Sequence, residues 1–93
     1  MERVEYSGHA RHRAKNRSIS GDAIDAVMTW GRLFHAGKGC LAYFLGRRIV
    51  LHLRRRLGLN LDRYRDIAVI ESLDGMLVTV EHLSRPPRHW RPG

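Results

Sequence analysis

GRLFHAGKGCLAYFLGRRIVLHL, residues 31–53, is the stretch in which the periodicity of this chain changes. Ahead of it, apolar residues recur at helical spacing. Within it, short apolar runs alternate with glycine breaks. Leu33-Phe34-His35, Leu41-Ala42-Tyr43-Phe44-Leu45 and Arg48–Leu53 read as successive strands, with Gly37-Lys38-Gly39 and Gly46-Arg47 as their turns. In the last of these, Ile49, Leu51 and Leu53 alternate with Arg48, His52 and Arg54, so a strand there has one apolar and one basic face.

Upstream, residues 8–17 read as a short helix, polar over most of its surface. Residues 18–22 (SISGD) break it, and Ser20 is placed to cap a second helix with Asp22 near its positive end. That helix carries Ile24, Val27 and Met28 at helical spacing and stops near Trp30-Gly31. Downstream, residues 57–65 form a connection broken at Gly58 and Asn60. Residues 66–72 form a strand buried on both faces, Leu73-Asp74-Gly75-Met76 a hairpin turn, and residues 77–83 the returning strand. Residues 84–93 (SRPPRHWRPG) form a basic, proline-rich tail, expected to leave the sheet and stay extended or mobile. The expected fold class is α+β, with two N-terminal helices packed on a four- to five-stranded antiparallel sheet over residues 1–83.

Charge points to the partner. The 93 residues carry a net charge of +8, and arginine outnumbers lysine fifteen to two. Such a surface attracts polyanions, and arginine forks engage phosphates bidentately and stack on bases. Arg47, Arg48, Arg54, Arg55 and Arg56 fall in a segment without an acid, and Arg85, Arg88 and Arg91 punctuate the tail. No apolar run approaches the ~20 residues of a membrane span. The lone Cys40 excludes an intrachain disulfide, and the N-terminus has no apolar leader, so a reducing cytoplasm is the expected location.

The stretch GHARHRAKNRSIS carries the sharpest chemistry. On a helix, His9, Arg13 and Arg17 form one stripe about 80° wide, an anion-binding face with a group able to move a proton near neutral pH. His9-Ala10-x-x-Arg13-x-x-x-Arg17-x-Ile19, together with the closing Asp74-Gly75 and Leu77-Val78-Thr79-Val80-Glu81-His82, resembles a small bacterial family of domains of unknown function. Its hallmarks are HA-x-x-R-M-x-x-R-G-I and a D-G-x-x-x-T-V-x-H ending. The likeness covers about residues 6–83 and departs from the pattern at Ala14 and Ser18. That family is in turn similar to RelE-type and colicin-type ribonuclease toxins. The resemblance therefore implies an RNA-cleaving toxin domain neutralised by a protein antitoxin.

Metal-independent cleavage of RNA needs a base for the 2′-OH, an acid for the leaving oxygen and cations for the charged intermediate. His9 and His82 are the candidate acid–base pair, with Arg13 and Arg17 holding the phosphoryl oxygens. Arg11, Arg48, His52, Arg54, Arg56 and Arg88 are candidate RNA contacts. Tyr43 and Tyr64 are candidates for stacking a base or assisting proton transfer, and Trp90, between two arginines, for a stacking or partner anchor. Phe34, Phe44 and Trp30 read as core, Cys40 as inert packing, and His82 equally well as structural. No metal-ligand set and no cofactor motif is present, so neither is expected. The expected partners are RNA, on or off the ribosome, and a cognate antitoxin. The rival is a non-catalytic basic module holding nucleic acid or a nucleoprotein.

Overall fold

The computed structural model describes residues 21–75 and 77–93. The helix expected over 8–17 and the Ser20 cap lie outside these residues. The first described element, α1 (Gly21–Trp30), turns Ala23, Ile24 and Val27 inward, with Asp22 in its first turn where the helix dipole favours an acid. It closes at Gly31, whose N–H donates to the Val27 carbonyl at 2.8 Å. A Cβ on Gly31 would lie 2.4 Å from that same oxygen, so the exit turn admits no side chain.

The chain then forms β1 (Arg32–Gly37) and β2 (Cys40–Leu45). Lys38 and Gly39 link them with φ of 54° and 71°, the mirror-image turn whose twist matches paired strands. Next comes α2 (Arg47–Leu57), then a 3-10 turn (Asp62–Tyr64), β3 (Ile67–Ser72), β4 (Leu77–His82) and the two-residue β5 (Arg91–Pro92). The sheet order is β4-β3-β2-β1-β5, with every pairing antiparallel. The α+β class and the antiparallel sheet agree with the sequence, and the fifth strand is Arg91–Pro92 in place of residues 48–53. The placement of the helices differs, because α2 lies between β2 and β3 and not ahead of the sheet.

Residues 48–53 are therefore corrected from strand to helix. Alternation would bury Leu51 beside Ile49 and Leu53, yet Leu51 is 45% exposed while Val50 and Leu53 are buried. The pattern that wins is Val50, Leu53 on one side and arginines around the rest, a 3.6-residue period. Gly58 ends the helix in the left-handed region, its N–H donating to the Arg54 carbonyl at 3.1 Å. Arg54, Arg55 and Arg56 occupy the last turn, where the dipole favours cations.

The two faces of the sheet are closed by different means. On one, α1 and Val50 of α2 cover Leu45, Ile67, Val69 and Val80 in an aliphatic core. On the other, Phe34, Ala42, Phe44 and Ala68 pack beneath Trp90, with Leu83 against them. This second cover is the segment expected to be a free tail. Because β4 and β5 stand at opposite edges, residues 83–90 must cross the sheet, about 19 Å for four strand spacings. Trp90 is 7% exposed, with its ring 5.8 Å from that of Phe34. The expectation of a departing tail fails because Trp90 brings apolar surface that the sheet needs. Pro92 is tolerated because it joins only at an edge, facing Phe34, with the Gly93 N–H donating to the Leu33 carbonyl at 3.0 Å.

Candidate nucleic-acid interface

Where this strap passes the start of α2 it leaves a cleft of about 310 Å³. Its floor is Phe34 and Phe44, side chains that β1 and β2 turn toward the strap. Gly46, Arg47, Arg48 and Ile49 form one side, and Ser84, Arg85 and Pro86 of the strap another, with Arg32 at the β1 end. Four guanidiniums thus border an aromatic floor, and none of the described lining residues is acidic. The Arg32 guanidinium carbon lies 5.0 Å above the Phe34 ring centroid, a cation–π distance that fixes the head of a long, exposed side chain.

Backbone supports the same corner. Gly46 precedes α2 with φ −86° and no side-chain cap, and its carbonyl accepts the Val50 N–H at 3.1 Å. The N–H groups of Arg47, Arg48 and Ile49 precede the first intrahelical bond, so they are the orphan donors of a helix start. That first turn holds two arginines and no acid, an arrangement the dipole disfavours until an anion arrives. A Cβ on Gly46 would lie 2.7 Å from the Phe44 ring edge, so glycine is what lets ring and helix start approach.

A second cleft, about 290 Å³, opens on the outer side of α2 between Arg48, Leu51, His52, Arg55 and Arg56. Arg48 borders both, so the basic surface runs unbroken from the strap along the helix. Among the described residues two other arginines form ion pairs: Arg54 with Asp62 at 3.6 Å and Arg65 with Asp66 at 3.9 Å. Arg63 lies over the Tyr64 ring, its guanidinium carbon 5.8 Å from the centroid.

The residues expected from sequence divide accordingly. His9, Arg11, Arg13 and Arg17 lie outside the described residues. Arg48, His52 and Arg56 come together on α2 at the same i, i+4, i+8 spacing as His9, Arg13 and Arg17. Arg54 turns to Asp62 instead, and Arg88 is exposed on the strap. His82 is exposed at the end of β4, opposite Ile67. Trp90 is buried against Phe34, and its ring is not free to stack on a base. Tyr43 is half-buried on the α1 side of the sheet, packed against the aliphatic core, with its hydroxyl donating to Glu71 Oε1 at 2.7 Å. Burial first, and then Glu71, push that phenol up to about 12, so it stays neutral at physiological pH. Tyr64 packs against the same core.

Arg32, Arg47 and Arg85 were not singled out as contacts in the sequence, nor Phe34 and Phe44 as a floor. Reading residues 47–57 as helix would have exposed the α2 stripe. No local signal could have joined Arg32, Arg47 and Arg85, because a strap crossing the whole sheet brings them together. Among the described residues, no group of three or more His, Cys, Asp or Glu is placed to hold a metal ion, and no helix is long and apolar enough to cross a membrane. No family model, no curated protein and no solved structure matches the chain.

Proposed function

We propose that this protein binds single-stranded RNA in the cytoplasm through the arginine-lined surface that runs from the strap onto α2. The observation that carries this is the cleft itself, with four guanidiniums and, among the described residues, no acid around an aromatic floor. Arginine forks suit phosphate oxygens, and exposed guanidinium planes suit unstacked bases, a combination that single strands offer and duplexes hide. The net charge of +8 adds long-range attraction and makes the association salt-sensitive.

Binding is preferred to cleavage for a reason of placement. Tyr43 lies on the other side of the sheet with its phenol held neutral, and His82 ends the strand next but one from β2. His52 does line a cleft with arginines, but it has no described partner to serve as the opposite acid or base. The toxin-type ribonuclease, with its antitoxin, rests on His9, Arg13, Arg17 and the family resemblance.

The test is a labelled single-stranded RNA and a DNA of the same sequence, each incubated with the protein in EDTA across a salt series. The expected result is RNA shifted at low salt, released as salt rises, and recovered intact. Absence of any RNA shift at low salt would overturn the proposal. RNA-only cutting that leaves a 2′,3′-cyclic phosphate and vanishes in His9→Ala would replace binding with ribonuclease action.

A further inference from the structure

We infer that the cleft between the strap and the start of α2 is a subsite for one nucleotide 5′-monophosphate unit, with phosphate at Arg47 and Arg48 and base against Ile49 and Pro86. This rests on the RNA-binding proposal and names the part of the RNA the cleft takes. Size is the first constraint. At about 310 Å³ the cleft lies at the lower end of small-molecule sites, which run from about 300 to 1,000 Å³. It has room for a single base with its sugar and phosphate, and not for a run of them.

The second constraint is the segregation of chemistry along the lining. Arg47 and Arg48 project from a helix start whose first N–H groups lack intrahelical acceptors, and no acidic side chain lies in that turn. A phosphate there would be met by charge-assisted hydrogen bonds, and would relieve two like charges at the positive end of the dipole. The half-buried Ile49 and Pro86 supply apolar surface beside it, over the buried Phe44. An inorganic anion would leave that surface wet, and an apolar ligand would leave the guanidiniums unmatched. A nucleotide uses both. Among the described residues the lining offers no carboxylate for a divalent ion, so the monophosphate fits better than a metal-chelated triphosphate.

The strap takes part directly. Arg85 and Pro86 lie between Leu83, which packs on the aromatic face, and Trp90, which anchors it. A nucleotide in the cleft would therefore bridge the strap to α2. Arg85 is the guanidinium that the strap itself contributes to the cleft.

The experiment is an amide-resolved NMR titration of the full chain at low salt with adenosine 5′-monophosphate, adenosine and inorganic phosphate, followed by competition of each against labelled single-stranded RNA. The expected result is saturable binding of the monophosphate, with shifts at Arg47, Arg48, Ile49, Ser84 and Arg85, and displacement of the RNA. Adenosine and phosphate should each bind more weakly by about tenfold or more, as should the monophosphate in Arg48→Ala and Arg85→Ala, the loss of one charge-assisted pair. The variants' undisturbed amide spectra report that they are folded. Phosphate binding as tightly as the nucleotide would overturn the assignment in favour of a bare anion site. RNA binding without monophosphate shifts in the cleft would overturn the subsite and leave RNA binding standing. Binding of neither would remove both.

Discussion

The two faces of the sheet solve the same problem with unequal means. On one face a regular helix lays Ala23, Ile24 and Val27 over Leu45, Val69 and Val80, and the result is an aliphatic core with those side chains almost fully buried. On the other face an irregular strap lays Trp90 and Leu83 over Phe34, Ala42, Phe44 and Ala68. A helix presents a continuous apolar stripe, whereas a strap with two prolines and two arginines covers what its few apolar residues reach. The gap it leaves beside α2 is where the arginines gather. The closed face holds the fold together, and the incompletely closed face offers the site.

The sharpest way to break this contrast is to truncate the anchor of each face. Trp90→Ala is expected to cost about 3–5 kcal/mol, and Ile24→Ala about 2–5 kcal/mol, both through cavities left by buried side chains. Urea unfolding measures each. The two should part at RNA affinity, read at concentrations where both variants remain folded. Losing Trp90 releases the strap that carries Arg85 and weakens binding, while Ile24→Ala leaves it unchanged. Equal RNA affinities in the two variants would contradict the division of labour.

A smaller effect is expected at the floor of the cleft. Alanine at Gly46 meets no backbone objection at φ −86°, but its Cβ would stand 2.7 Å from the Phe44 ring edge. The ring must shift, costing about 1–3 kcal/mol as overpacking does. Because Phe44 is the floor, Gly46→Ala should lower RNA affinity as well as the urea midpoint. A change in the midpoint alone would place the base elsewhere.

The smallest effect belongs to the closed face. Tyr43 ionises near 10 in the unfolded chain and at about 12 in the folded one. The sign follows: its contribution is complete below pH 10 and is lost as pH rises from 10 through 12. Tyr43→Phe should remove that component of the alkaline stability loss, read from urea midpoints across this window, and leave RNA binding at neutral pH unaltered. Weakened RNA binding in Tyr43→Phe would return the residue to the interface.

These residues also mark how much the sequence discloses. Ile24 and Val27 at helical spacing, the Lys38-Gly39 turn and the apolar run 67–70 act locally, and their elements stand where local rules put them. The run Ile49-Val50-Leu51-His52-Leu53 satisfies both alternation and a helical period. The contest is decided by Val50 reaching a core built from α1, β2, β3 and β4, which no local window contains. Trp90 is harder still. Flanked by arginine and histidine in a proline-rich segment it looks like a free anchor, and only the uncovered Phe34 and Phe44 on distant strands give it a place to bury. The basic character of the site was legible, since it needs only a count of arginines. Its location was not, since Arg32, Arg48 and Arg85 meet through the path of the strap.

The most direct test is the salt dependence of single-stranded RNA binding in the wild type, in Arg47→Ala/Arg48→Ala, and in Arg63→Ala, which removes one charge from the turn beside Tyr64. If Arg47 and Arg48 together hold one phosphate, the double variant should lower the log–log salt slope by about 0.7, the value for one contact, with weaker binding throughout. Arg63→Ala should leave the slope near the wild-type value. A double variant with wild-type slope and affinity would contradict the assignment of RNA binding to the cleft.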